Sequence, residues 1–220
     1  MTRMISRGWR SAALMGTLVA ASALTGCAAV LVGGAVVGGT MMATDRRSSG
    51  AIVDDQSIEM KAGTKVHEVL GDRGHVNVTS YNRMVLLTGE VPTEADKAAI
   101  EQSVARVDNV RSTVNELAAM TASSLSNRSN DAFLTSKVKA TLVDAGDLHS
   151  NAFKVLTERG TVFLMGRVTE READRASDLT RSISGVQKVV RVMEIISEAE
   201  LAELEPRNAP TKPATASPKP

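Results

Sequence analysis

The sequence predicts an α+β protein built from two similar small domains in tandem, each running helix, strand, strand, helix, strand. Three observations predict it. Residues 85–91, Val-Leu-Leu-Thr-Gly-Glu-Val, recur 77 positions later as Val-Phe-Leu-Met-Gly-Arg-Val at 162–168. Upstream, Asp55, Ile58 and Lys61 stand 76 positions before Asp131, Leu134 and Lys137. Within each copy the apolar spacing alternates between the helical period and the two-residue period of a strand. Two copies of about 70 residues make tandem domains, because a solenoid needs three or more repeats.

Before the first copy, residues 1–26 carry Arg3, Arg7 and Arg10, an apolar run from Ala12 to Leu24, and small residues ahead of Cys27. This is the layout of an export signal: charged start, short apolar stretch, small residues before a cut. The spelling Leu24-Thr25-Gly26-Cys27 resembles the lipobox of a bacterial lipoprotein signal. The resemblance implies a diacylglycerol on the Cys27 thiol, cleavage before it and acylation of the new amine. Cys27 is the single cysteine of the chain, so no intramolecular disulfide can form. Residues 27–50 read as a lipidated, glycine-rich tether. Its apolar part, 28–42, is too short and glycine-laden for a spanning helix, which needs about 20 mostly apolar residues. A glycine-mediated helix contact is the alternative for this stretch. Asp45-Arg46-Arg47 reads as a polar exit from the membrane region.

The first domain is expected over 51–120. Its helix covers 55–70, its strands 76–81, 83–91 and 110–120, and its second helix 93–107 with Ile100, Val104 and Val107 inward. Gly63 sits in the middle of the first helix and costs about 1 kcal/mol against alanine. The first domain is therefore expected to be the less stable. The second domain is expected over 128–197. Leu134, Val138 and Leu142 recur every four residues and predict a helix, with Asn130-Asp131 as its caps. Phe153, Val155 and Thr157 alternate with Lys154 and Leu156, Arg159-Gly160 turns the chain, and a second strand covers 161–168. Thr169 with Glu172 three residues on is a capping box. Ala173, Ala176, Leu179 and Ile183 form the buried stripe of that helix, Gly185 stops it, and 186–196 is the last strand. Residues 198–220 hold five of the six prolines and are expected to be a disordered tail.

Composition narrows the function. Residues 1–26 hold three Arg and no acid, so 23 basic and 25 acidic residues remain, net −2. That balance and the lack of a basic block argue against nucleic acid. The few aromatics offer no stacking platform. His67, His75 and His149 lack metal-ligand spacing in the sequence, so neither a metal nor a soluble cofactor is expected; each histidine reads as a surface or loop residue. Glu94/Asp96 and Glu170/Glu172 sit at helix starts, where carboxylates suit the helix dipole. No nucleophile elbow occurs, and two small open sheets offer no cleft for acid–base work, so no enzyme is expected. Gly89 and Gly166 read as structural glycines where strands pack closely.

The two copies resemble the BON domain, which has an αββαβ pattern and a central glycine, here Gly89 and Gly166. The closing signatures are Asn109-Val110 with Val114-Asn115 and Leu117, and Gly185-Val186 with Val189. With the lipobox and tether, the chain is similar to dual-BON outer-membrane lipoproteins associated with division and outer-membrane stress. The resemblance implies two BON domains, each with a three-stranded mixed sheet and two helices packed on one face. It implies a lipid-anchored protein of the outer membrane facing the periplasm; Ala28 fits, because in that family an aspartate there favours inner-membrane retention. It implies binding of anionic phospholipid by the first helix of the second domain, in support of outer-membrane integrity.

Placed on this sequence, the lipid-facing helix covers 131–143. Phe133, Lys137 and Ala140 share one face, and Lys139 adds a charge. An aromatic able to enter the acyl boundary beside lysines that meet phosphate is interfacial chemistry. Packing of Phe133 at the core edge with merely solvated lysines is the plainer alternative. The first copy has Ser57, Lys61 and Gly63 at the matching places and is not expected to bind lipid. Two rival functions stand beside this one. One is a periplasmic adaptor whose BON domains bind an envelope or division protein, with lipid incidental. The other, a secreted haemolysin-like toxin, is poorly served by a chain with no long amphipathic segment.

Overall fold

The computed structural model describes residues 45–208, with side chains to residue 204. The signal segment, Cys27 and the glycine-rich stretch, together with residues 209–220, lie outside the described residues. The first domain runs α1 (Ser49–Leu70), β1 (His75–Tyr81), β2 (Met84–Val91), α2 (Glu94–Val104) and β3 (Ser112–Ala119). The second runs α3 (Leu125–Asp144), a 3-10 turn at Ser150–Ala152, β4 (Phe153–Glu158), β5 (Thr161–Val168), α4 (Glu170–Arg181) and β6 (Lys188–Ile195). Each sheet is mixed. The hairpin pairs β1 with β2 and β4 with β5 antiparallel, and the crossover through α2 or α4 brings β3 or β6 back parallel to the central strand. The α+β class and the αββαβ order therefore hold in both copies.

The helices cover one face of each sheet. Ile58, Ala62, Val66 and Leu70 of α1 meet Ile100 and Val104 of α2 over Val85, Leu87 and Val91 of β2. Val138 and Leu142 of α3 meet Ala173 and Ala176 of α4 over Val162, Leu164 and Val168 of β5. The other two sheet faces meet each other. Tyr81 and Leu86 pack on Phe163, Met165 and Val192, with Met84, Val114, Leu156 and Val190 at the margin. Both central strands are thus buried on both sides, which explains their nearly continuous apolar runs. The small open sheets expected from the sequence are closed against one another.

A buried aspartate holds each hairpin in the same way. The turn residues Asn82 and Arg83, and Arg159 and Gly160, all have positive φ, as two-residue hairpin turns require. Asp131 takes the backbone N–H of Arg159 (2.8 Å) and Gly160 (2.9 Å). Asp55 takes those of Asn82 (2.8 Å) and Arg83 (2.7 Å), and also the Ser80 hydroxyl and the Arg47 guanidinium. This corrects the cap assignment for Asn130-Asp131. The helix starts six residues earlier, where the Ser124 hydroxyl accepts from the Asn127 N–H. Asp131 lies inside the helix and serves the hairpin.

Two further expectations change. Residues 45–50 are not a free tether. Arg46 is buried and makes two hydrogen bonds, 2.7 and 2.8 Å, to Glu172 of the second domain. Arg47 binds Asp45 and Asp55 and lies over the Tyr81 ring at 4.3 Å. At the other end, 198–208 is a helix, α5 (Glu198–Asn208), where a disordered tail was expected. Leu201 is buried and Glu200 pairs with Arg167, so burial and an ion pair hold the segment's first turn against the domain.

Candidate functional site

The outward side of α3 carries the candidate site. Leu134, Val138 and Leu142 fix the inward side through core burial. The opposite side then presents Phe133, 66% exposed, with Leu125 and Val143, 75% and 62% exposed, and Ala140 between them. Successive spacings of eight, seven and three residues keep these groups on one side of the helix. Lys137 stands beside the stripe with its ammonium 5.9 Å from the Phe133 ring centroid, and donates to the Ser184 carbonyl at 3.0 Å. Lys139 is exposed on the other flank. Among the described residues no carboxylate lies within ion-pair distance of Lys137 or Lys139, so both charges remain uncompensated toward an external anion. The structure brings Phe133, Lys137, Lys139 and Ala140 onto one helix surface. The sequence reading missed Leu125 and Val143. Leu125 lay upstream of the expected helix start, and Val143 was included in the helix but not read as part of the exposed face.

The matching helix of the first domain is dressed differently. Ser57 stands where α3 has Phe133, and Val53 and Met60 are the exposed apolar residues. Its cations are matched by acids: Lys61 pairs with Asp108 at 3.0 Å and Lys65 with Glu68 at 2.7 Å. Asp54 and Glu59 are engaged by Arg83 and by Lys154 of the second domain.

The two central glycines are required by close backbone approach. A Cβ on Gly89, whose φ is +117°, would lie 2.0 Å from the His75 carbonyl oxygen. One on Gly166 would lie 2.6 Å from the Ala152 carbonyl oxygen. Both are packing constraints within the hairpins and offer no ligand loop.

The charged groups at the domain junction have shifted acidities. Burial pushes the Glu172 carboxyl up, but the Arg46 hydrogen bonds, the Thr169 N–H and the Arg46 charge outweigh it and hold it below the usual range. Burial, reinforced by the Asp45 charge, pushes the Tyr81 phenol up to about 12 against the opposing Arg47. Of the histidines, His67 and His149 are exposed as expected. His75 is not simply a surface residue. It opens β1, pairs across the hairpin with Glu90, and faces Glu158 of the second domain.

Among the described residues no helix is long and apolar enough to cross a membrane. A family model described as the BON domain matches residues 54–120 and 130–197. Outer membrane lipoprotein DolP of Haemophilus influenzae is 36% identical over 175 residues, which is 79% of this chain and 90% of that protein. A 21 kDa hemolysin of Actinobacillus pleuropneumoniae is 30% identical over 69% of this chain and 79% of its own. Among solved structures, CdsD, a structural protein of the type III secretion system of Chlamydia trachomatis, shares 14% identity at a TM-score of 0.28. That match covers 70% of this chain and 96% of CdsD.

Proposed function

This chain belongs to the BON-domain family and is an outer-membrane lipoprotein, and on that premise we propose that it touches anionic phospholipid through α3 and so supports outer-membrane integrity. The observation that carries the reading is the exposed stripe Leu125–Phe133–Ala140–Val143 flanked by Lys137 and Lys139, which have no carboxylate partner among the described residues. Apolar groups enter the acyl boundary, and each nearby lysine contributes about 1 kcal/mol toward an anionic surface. Acyl chains on Cys27 supply the holding force, at about 0.8 kcal/mol per buried methylene. A tethered protein needs only a weak second contact, because the anchor raises its effective concentration at the surface. The α3 contact then selects where on the membrane the domains lie. Ala140 keeps the stripe low, so the helix can approach closely.

The test uses the non-acylated Cys27→Ser chain with phosphatidylglycerol micelles, following amide shifts along α3. Phe133→Glu is expected to abolish the shifts. Shifts unchanged in that variant would overturn the reading. Mass spectrometry of the mature protein checks the anchor: acyl chains on Cys27 are expected, and a free Cys27 amine and thiol would remove it.

The adaptor reading is favoured by one observation. A groove of about 540 Å³ runs between α1 and α2 of the first domain, lined by Lys61, Thr64, Lys65, Gln102 and Arg106. Deleting the first domain's outer contacts while lipid binding stays intact separates the two readings. Loss of function under those conditions favours a protein partner.

A further inference from the structure

The junction between the domains contains a three-residue donor set that no single stretch of sequence could have shown. His75 opens β1, and its cross-strand partner is Glu90 of β2. Direct partners of an antiparallel pair point to the same face. Gly89 lets β1 come close enough for the pair to meet. Glu158 ends β4 of the second domain and lies across the sheet-to-sheet junction from both. One ligand atom of each residue lies within 4.8 Å of the others.

Among the described residues no cation forms an ion pair with one of the two buried carboxylates of this cluster, Glu158. Glu90 is fully buried and Glu158 is only 3% exposed. The Arg159 guanidinium goes to Glu90 Oε1 at 2.7 Å, and a second, that of Arg128, lines the same groove as His75 and Glu158 with its Nε buried and unpartnered. Glu158 receives a neutral amide donor, Asn77 Nδ2, at 3.0 Å. A second buried carboxylate so placed calls for a further positive charge. Next to it, His75 Nδ1 is shielded from solvent and has no hydrogen-bond partner. It stands 3.7 Å from Glu90 Oε2, beyond hydrogen-bond length. A buried imidazole nitrogen left unpartnered is uncommon. A nitrogen of the His75 ring and one oxygen of each carboxylate therefore surround one small volume.

We propose that His75, Glu90 and Glu158 bind one divalent transition-metal ion of the zinc class, which staples the second domain to the first. Imidazole with carboxylates suits zinc, at about 2.0–2.2 Å per bond, and is a poor set for calcium or magnesium, which take oxygen ligands alone. Metal sites depend on hydrogen bonds that aim the ligands, and these are in place. Arg159 and the Ser123 backbone and hydroxyl hold Glu90, and Asn77 holds Glu158. A groove of about 390 Å³ that includes His75, Asn77, Thr157 and Glu158 in its walls supplies an entry path and room for a water as fourth ligand. Two ligands come from the first domain and one from the second, so the ion's binding energy adds directly to the junction.

The full acylated chain in detergent, stripped with a chelator, is titrated with zinc chloride by calorimetry. One zinc per chain is expected, with affinity reduced about tenfold or more in His75→Gln and in Glu158→Gln. Zinc is also expected to raise the thermal midpoint of the wild-type chain and to leave both variants where they were. Absent saturable binding, or stoichiometric binding that survives both substitutions, overturns the site. Should either variant fail to fold, zinc-edge X-ray absorption on the wild-type chain decides. One nitrogen and two carboxylate oxygens from protein support the site, and sulfur or an all-oxygen shell removes it.

Discussion

The two domains share one backbone plan and differ in what they put on it. In the second, the first helix shows solvent an aromatic, two further large apolar groups and lysines that have no acidic partner among the described residues. In the first, the matching helix shows Ser57, and its lysines are bound to Asp108 and Glu68. The fold is set by inward residues that both copies retain, so the outward residues were free to diverge. Duplication thus yields one domain whose α3 lysines have no carboxylate partner among the described residues and one whose α1 lysines are paired internally. The N-terminal segment reaches both: Arg46 ends in Glu172 of the second domain and Arg47 on Asp55 and Tyr81 of the first. Whatever pulls on the residues before Asp45 therefore pulls on the junction.

The largest expected contrast concerns the two hairpin aspartates. Asp55 serves two backbone N–H groups, a hydroxyl and a half-buried guanidinium, whereas Asp131 serves two N–H groups. Asp55→Ala is expected to cost about 4 kcal/mol and Asp131→Ala about 2 kcal/mol in urea unfolding. Equal costs would show that Arg47 and Ser80 add nothing to the first copy.

Alkaline pH probes the surface where the domains meet. Tyr81, the single tyrosine, has a phenol raised from 10.0 to about 12. A raised folded pKa means that its stabilisation is complete below pH 10 and is lost as pH climbs toward 12, a loss of a few kcal/mol. Tyrosinate absorbance is expected to titrate near pH 12 in the folded chain. Tyr81→Phe should flatten the stability curve over that window, and a normal titration near 10 would mean that the sheets separate.

Lipid binding sharpens the contrast next. Lys137→Ala with Lys139→Ala is expected to lower affinity for phosphatidylglycerol vesicles by about 2 kcal/mol, roughly thirtyfold, and to reduce its salt sensitivity. Lys61→Ala with Lys65→Ala in the first domain should leave vesicle flotation unchanged. Equal losses would indicate non-specific attraction to the whole protein.

The smallest effect concerns Gly63, which stands where the second domain has Lys139. Nothing lies within 4 Å of a Cβ added there. Gly63→Ala is expected to stabilise the chain by about 1 kcal/mol, read from the urea midpoint. No gain would mean that the first helix is held wholly by its core contacts.

The helix positions, the hairpins and the capping box at Thr169 were legible in the sequence because each rests on neighbours a few residues apart, and the repeat because whole motifs recur at a fixed offset. Element ends moved where a side chain acted at a distance. Asp131 looked like a cap, yet its partners lie 28 and 29 positions on. A signal for the sheet-to-sheet junction was present and unread: Leu86, Phe163 and Met165 put apolar side chains on both faces of their strands, which a half-exposed sheet would not tolerate. The candidate lipid residues came from helix spacing together with family likeness. Leu125 was missed because it preceded the expected helix.

The sequence by itself determined two αββαβ units, since turn chemistry and apolar period are local properties that survive duplication. Tertiary structure alone decided which polar residues are buried. Arg46 and Glu172 lie 126 positions apart, and Glu90 lies 69 from its partner Arg159. No periodicity links such residues. Only tertiary packing removes them from water, and only the closing of one sheet upon the other brings Glu158 within 4.8 Å of His75 and Glu90.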